Sequence, residues 1–322
     1  MSIFFSIITS TRNRKHELDK LIKSLKRQNF KNFEWIIGDD CSSDGTEEFI
    51  KTRIKYLNFK VTYLKSSHRI GLSKMINELI RNVKGKTFLL CDSDDYFKPS
   101  ALSDAYKLFN GLTKKEKKNL VGILSGNVDE HDNNQLFYKD KIPKKNFFLK
   151  WQNVHKYCYG DGTLIAYSSY FKKLKLPEVD FYIPMSSIYK KYEKKNILIT
   201  NKIFKIMKRN TSESISFQKR MAYNRGNAYA ISICETGNRF ENRTLISKMR
   251  LILNYFRYCF HGDIEISKCL NLWKVIKNNK ILSVFYILAL PVICYDLLFK
   301  KIDKTHKEFF KNIKSFKIIK KI

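Results

Sequence analysis

The chain has 322 residues with 62 Lys and Arg against 30 Asp and Glu, a net charge of +32. That length allows one large or two modest domains with an ample core. Seven cysteines show no C-x-x-C spacing and no signal peptide opens the chain, so the thiols are expected to be reduced, buried and cytoplasmic.

The first apolar run, Ile3 to Ile8, predicts a strand, and Thr9-Ser10-Thr11-Arg12-Asn13-Arg14 follows as a polar loop. Leu18, Leu21, Ile22 and Leu25 then recur at helical spacing and predict a helix over 17–28. A second strand, Trp35-Ile36-Ile37-Gly38, runs into Asp39-Asp40-Cys41-Ser42-Ser43-Asp44-Gly45-Thr46. Further on, Lys86-Thr87-Phe88-Leu89-Leu90-Cys91 leads into Asp92-Ser93-Asp94-Asp95. Short apolar strands alternating with helices argue for βαβ units and a parallel sheet. The polar loops would then meet at the C-terminal edge, where open α/β sheets bind ligands. Taken alone, the acidic cluster has a solvated turn as its plainer but less favoured alternative, since turns favour Asp. Carboxylates this close repel one another unless a cation lies between them, and hard oxygen ligands suit Mg²⁺ or Mn²⁺.

These stretches resemble the family 2 inverting glycosyltransferases. The family's strand followed by Pro-Thr-Tyr-Asn appears as Ser10-Thr11-Arg12-Asn13, and its Asp-Asp-Gly-Ser-x-Asp-Gly-Thr as Asp39 to Thr46. Its Gly-Leu-Ser-x-x-x-Asn helix start appears as Gly71-Leu72-Ser73-Lys74-Met75-Ile76-Asn77; Gly85 and Asp92-Ser93-Asp94 complete the order. Two departures matter: Arg12 stands for the family's Tyr and Cys41 for the first Gly after its paired Asp.

From its charge and apolar pattern the chain is expected to carry a mostly helical, basic C-terminal region, 241–322, for membrane association, after 1–110 for the donor and 111–240 for the acceptor. The resemblance implies an α/β fold with a Rossmann-like GT-A nucleotide-sugar-binding domain. It places the nucleotide base, uracil by default, by Ser10, Arg12 and Asp40; a carboxylate accepts the imide N–H, and a guanidinium can stack in place of the missing aromatic ring. It gives Asp92 the ribose hydroxyls and, with Asp94, a Mn²⁺ or Mg²⁺ ion bridging the phosphates. Lys74 and Arg69 are candidate phosphate contacts, although at this charge density a solvated cation explains either one better. The reaction is a single displacement at the anomeric carbon, which needs a general base and no nucleophilic side chain.

For that base the middle of the chain is less decisive. Leu176-Pro177-Glu178-Val179-Asp180-Phe181-Tyr182-Ile183-Pro184-Met185 resembles a stretch in surface-polysaccharide relatives that closes on Glu. Met185 stands at that position and cannot take a proton, so Asp180 is the first candidate, with Asp161 and Asp95 in reserve.

The basic excess lies downstream: residues 1–110 carry 20 Lys and Arg against 13 acids, which leaves +25 for the rest. Nucleic acid, an anionic membrane and an AT-rich genome compete as its source. Ile281 to Phe299 is an apolar stretch interrupted by Pro291 and Asp296, and Lys300 to Ile322 interleaves nine Lys with Phe309, Phe310, Ile313, Phe316 and Ile319. That pattern describes a basic amphipathic helix lying on a membrane rather than a span; a helix packing on its own domain is the plainer alternative. The expected partners are thus a nucleotide-sugar donor, a glycan or lipid-linked acceptor and an anionic membrane surface. The expected location is cytoplasmic, peripheral on the cytoplasmic face of the inner membrane. No zinc spacing or single-strand-binding signature supports nucleic acid. A haloacid-dehalogenase-like phosphatase would need its Asp-x-Asp at the first strand.

Overall fold

Apolar runs with few polar interruptions make strands buried on both faces, and the N-terminal part of the chain is built on them. The computed structural model describes residues 2–131, 137–138, 142–158, 162–172, 175–178, 183, 189, 191–208, 220–234, 244–265 and 287–291. They divide into one unit of Met1–Pro177 with Tyr189–Thr211 and another of Glu178–Ile188 with Ser212–Ile322.

In the first unit β1 (Phe5–Thr11), β2 (Phe33–Asp39), β3 (Lys60–Lys65) and β4 (Thr87–Leu90) run parallel in the order β3-β2-β1-β4. β2 is buried at all seven positions and β1 at six. The chain leaves β1 towards β2 and β3, then returns on the other side of β1 for β4. Strand order therefore reverses between β1 and β4, and such a switch point is where open α/β sheets bind their ligands. The crossovers are α1 (Lys15–Lys26), α2 (Thr46–Ile54) and α3 (Leu72–Arg81).

Element boundaries differ from the sequence reading by a few residues: β1 starts at Phe5, β2 runs Phe33–Asp39 and α1 ends at Lys26. β1 continues past its apolar run through Thr11, because Ser10 and Thr11 keep their register with Gly38 and Asp39 of β2. Helix α1 begins at Lys15, two residues before the expected start at Glu17. Its Leu18, Leu21, Ile22 and Leu25 are buried in one cluster with Phe5, Ile7 and Trp35, each worth about 1.5–3 kcal/mol of burial. Gly38 lets α3 approach the sheet, since a Cβ there would sit 2.2 Å from the Met75 sulfur.

The same sheet continues with later segments. After β5 (Tyr96–Phe97) and α4 (Ala101–Gly111) come the short α5 (Lys114–Lys117), β6 (Leu120–Asp129) and β7 (Phe147–Lys150). A single 3₁₀ turn, Trp151–Asn153, leads to α6 (Val154–Tyr157), β8 (Gly162–Tyr167), α7 (Ser168–Phe171) and β9 (Asn196–Met207). β8 is antiparallel to β4 and β6, and β9 pairs with β6, β7 and β5. Residues from both 1–110 and 111–240 thus share nine strands of one sheet.

The second unit is helical where described: α8 (Arg220–Cys234) and α9 (Leu245–His261). Ala228 of α8 joins Ile252, Tyr255, Phe256 and Cys259 of α9 in a small core, with Ala289 from a short helical stretch. Apart from 287–291, the apolar segment 281–299 and the lysine-rich 300–322 lie outside the described residues.

Candidate active site at the strand ends

The loops after β1 and β2 are tied to each other by short polar side chains. Asn13 adopts a left-handed backbone, φ 51°, which Asn tolerates better than most residues. Its N–H donates to Ser42 Oγ at 2.9 Å, and its Oδ1 accepts from the Ser43 N–H at 2.8 Å. Asp44 reaches both helices: Oδ1 accepts from the Thr46 N–H at 3.1 Å and Oδ2 from the Lys15 N–H at 3.1 Å. Partial burial pushes the Asp44 carboxyl up, but the donors from Thr46 and Lys15 outweigh it and hold it below its ordinary value.

The paired acids divide their work. Asp39 is fully buried, accepting from the Ser42 N–H at 2.8 Å and from the Tyr63 hydroxyl at 2.6 Å. Burial and that bond to Asp39 push the Tyr63 phenol up. Asp40 is 5% exposed and accepts from the backbone N–H groups of Ile70 at 2.6 Å and Gly71 at 3.0 Å. It therefore places a negative charge at the N-terminus of α3, where the helix dipole favours one. Gly71 makes that turn with φ 83°, which a side chain would resist.

The loop after β4 carries three acids in three different settings. Asp92 is exposed. Asp94 is half-buried and forms an ion pair with Arg14 from the loop after β1. Asp95 is 2% exposed, with Oδ2 2.5 Å from Lys205 Nζ, because β5 pairs with β9 and puts Phe97 opposite Lys205. Burial pushes the Asp95 carboxyl up, opposed by the Lys205 charge. Burial alone would lower Lys205, but the carboxylates of Asp95 and Asp92 outweigh it and keep the ammonium above its ordinary value.

Polar loops with this order and spacing have a counterpart among known proteins: residues 6–171 match the family described as "Glycosyl transferase family 2". The chain belongs to glycosyl transferase family 2. Among similar proteins is the poly(ribitol-phosphate) beta-N-acetylglucosaminyltransferase TarS of Staphylococcus aureus, 35% identical over 103 residues, which are 31% of this chain and 18% of TarS. Another is the GalNAc(5)-diNAcBac-PP-undecaprenol beta-1,3-glucosyltransferase of Campylobacter jejuni, 30% identical over 151 residues, 45% of this chain and 47% of that protein. The chain thus spans less than half the length of either. The fold is that of S. aureus TarS 1–349 in complex with UDP-GlcNAc, at a TM-score of 0.55 and 18% identity over 91% of both chains. A mannosyltransferase from Pyrobaculum calidifontis in complex with GDP-Man and Mn²⁺ shares it at a TM-score of 0.51 and 12% identity, over 95% of this chain and 83% of that one. The GT-A architecture expected from the sequence is the one present.

Several peculiarities of this family 2 chain now have physical reasons. Cys41, at the position where the family's pattern has Gly, adopts φ 59°, a conformation glycine takes without steric cost. Asn77, in the last position of the α3 motif, holds the main chain at Leu176. Of the expected site residues, Ser10 is half-buried at the end of β1, Arg12 is exposed just beyond it, and Lys74 is half-buried in the first turn of α3. Arg69 is exposed. Asp161, Asp180 and Met185 lie outside the described residues. Sequence reasoning gave no role to Arg14 or Lys205. A lysine two residues from Ile203 and Met207 in the apolar run of β9 was the available signal for Lys205; nothing marked Arg14 among so many cations.

Proposed function

We propose that this chain is an inverting glycosyltransferase that moves a sugar from a nucleotide-sugar, UDP-linked by default, to a hydroxyl of a cell-surface glycan or lipid-linked acceptor. The observation that carries this reading is the meeting of the β1, β2 and β4 loops at the switch point of the sheet, where Arg14 touches Asp94 and Asp40 braces α3.

In this reading Ser10, Arg12 and Asp40 hold the base. Asp40 Oδ1 accepts from the Ile70 N–H and the Ser66 hydroxyl, whereas Oδ2 accepts from the Gly71 N–H, and its second lone pair suits an imide donor. Arg12, exposed just beyond β1, offers a planar cation for stacking. Asp92 takes the ribose, and Lys74, near the start of α3, faces the diphosphate.

Among the described residues no group of three or more His, Cys, Asp or Glu forms a ready-made metal cage. The residues that would hold a Mn²⁺ or Mg²⁺ ion are Asp92 and Asp94, whose hard carboxylate oxygens suit either. When bound, such an ion neutralises the charge that develops on the diphosphate leaving group. For the general base we retain Asp180 first and Asp161 second; Asp95 ranks last because Lys205 already engages its buried carboxylate.

The lipid-linked acceptor finds support in the undecaprenol in the name of the Campylobacter relative. No described helix is long and apolar enough to cross a membrane. Leu245 and Ile246 in the first turn of α9 are 73% and 71% exposed, a surface that fits attachment to an anionic bilayer face. That attachment would hold the enzyme peripherally at the cytoplasmic face of the inner membrane.

The reading is tested by incubating the purified chain with a panel of nucleotide-sugars and Mn²⁺ and measuring released nucleoside diphosphate. Slow release from one donor is expected, and its disappearance in excess EDTA. Release from none, with membrane extracts supplied as acceptor, contradicts the proposal.

A further inference from the structure

Arg14 is an unusual residue for its place. It is the N-cap of α1, yet its side chain makes no capping bond, and short oxygen-bearing side chains are the ones that favour that position. A cation at a helix N-terminus also opposes the helix dipole. Asp44 supplies a bond that the N-cap does not, by accepting from the Lys15 N–H. Local helix chemistry therefore does not account for an arginine here.

What Arg14 does is reach across the switch point to Oδ2 of Asp94, 80 residues away in sequence. Both side chains are largely covered, 18% and 17% exposed, so the pair is less screened than an exposed one. The neighbouring acids are placed differently: Asp95 has Lys205, and Asp92 is exposed. A divalent ion approaching this loop meets one carboxylate already engaged by a guanidinium.

We propose that Arg14 stands in the place of the divalent ion at Asp94 and is exchanged for it when the donor binds. The inference rests on the reading of Asp94 as a metal ligand. Without nucleotide, an ion must displace a partly buried guanidinium from Asp94, so the ion binds weakly. A nucleoside diphosphate brings negative charge to the same strand ends and gives the released guanidinium a new partner. The ion and the nucleotide therefore load together, and Arg14 becomes a diphosphate contact in the loaded site.

The test measures Mn²⁺ affinity of the full chain from the free-ion electron paramagnetic resonance signal, without nucleotide and with UDP. Wild type, Arg14→Gln, Arg14→Lys and Asp94→Asn are compared, with melting curves to establish folding. Without nucleotide, Arg14→Gln is expected to bind Mn²⁺ on the order of tenfold more tightly than wild type, and Arg14→Lys to stay near wild type. UDP is expected to tighten Mn²⁺ binding far more in wild type than in Arg14→Gln. Nucleotide-free affinity in Arg14→Gln equal to or weaker than wild type overturns the exchange. Should Arg14→Gln not fold, wild type alone decides: Mn²⁺ affinity unchanged by UDP contradicts it. Mn²⁺ binding unaffected by Asp94→Asn removes instead the underlying reading of Asp94, and the two failures are thereby distinct.

Discussion

Asn77 holds the main chain of Leu176 from both sides, donating to its carbonyl at 3.0 Å and accepting from its N–H at 2.8 Å. Both residues are buried. The bond pair joins α3, whose N-terminus Asp40 braces, to the start of the segment that carries Glu178 and Asp180. Helix α3 and the chain at Leu176 are thus fastened at one point.

Asn77→Ala strands the N–H and the carbonyl of Leu176 away from water. Each stranded group costs about 1–3 kcal/mol, so the variant is expected to lose at least about 2 kcal/mol of unfolding free energy in urea. Asn77→Asp keeps the acceptor but buries a carboxylate oxygen against the Leu176 carbonyl, and should cost at least as much at pH 7. A stability for Asn77→Ala within about 0.5 kcal/mol of wild type, the range of ordinary surface changes, would show that the clasp does not hold.

Cys41 offers a test of backbone strain. Its φ of 59° disfavours any residue with a Cβ and a β-branched one most. Cys41→Val is expected to destabilise by about 1–2 kcal/mol. Cys41→Gly should be neutral or stabilising by up to about 1 kcal/mol, since relief of strain is partly offset by the greater freedom of unfolded glycine. Equal stabilities for the Val and Gly variants would contradict the strained turn.

Asp44 gives a pH signature. Its folded-state carboxyl lies below the ordinary value, so its stabilisation is present above the unfolded value, near pH 4, and is lost as pH falls through the depressed one. Asp44→Ala is therefore expected to cost about 0.5–2 kcal/mol at pH 7. The gap between variant and wild type should narrow below about pH 4. A gap that stays constant from pH 7 to pH 3 would mean that the carboxylate charge is irrelevant to the cap.

The Lys205–Asp95 pair should behave as a buried ion pair. Lys205→Met leaves the Asp95 charge buried without a partner, which costs about 3–5 kcal/mol. Removing both charges in Lys205→Met with Asp95→Asn should recover most of that loss, because neighbours in one pair are not additive. Additive losses in the double variant would show that the two side chains do not act on one another.

These residues also show what the sequence made legible. Strand ends and their acids could be read because buried parallel strands are apolar runs, so the turn from Leu90 to Asp92 marks a sheet edge. Helix α1 was visible from four apolar residues at one spacing. β3 was harder to see: its Val61, Thr62, Tyr63 and Leu64 are only half-buried, and no run stands out from its surroundings. The continuation of the sheet through β6, β8 and β9 depends on pairings between residues far apart in sequence, such as Leu89 with Ile165, which no local pattern encodes. Arg14 was hidden for a different reason: in a chain of 62 cations, only geometry separates the one that meets Asp94 from those that meet water.

The measurement closest to the central claim is calorimetric binding of UDP in the presence of Mn²⁺ to wild type, Asp92→Asn and Asp94→Asn. Asp92 is exposed, so Asp92→Asn should keep the melting temperature of the parent; Asp94→Asn breaks the pair with Arg14 and should lower it while leaving the protein folded at the assay temperature. Wild type is expected to bind UDP, and each variant to bind at least about tenfold more weakly, a difference of about 1.4 kcal/mol. Equal UDP affinity in all three proteins, or no binding by wild type, would contradict a nucleotide-sugar site at the ends of β1, β2 and β4.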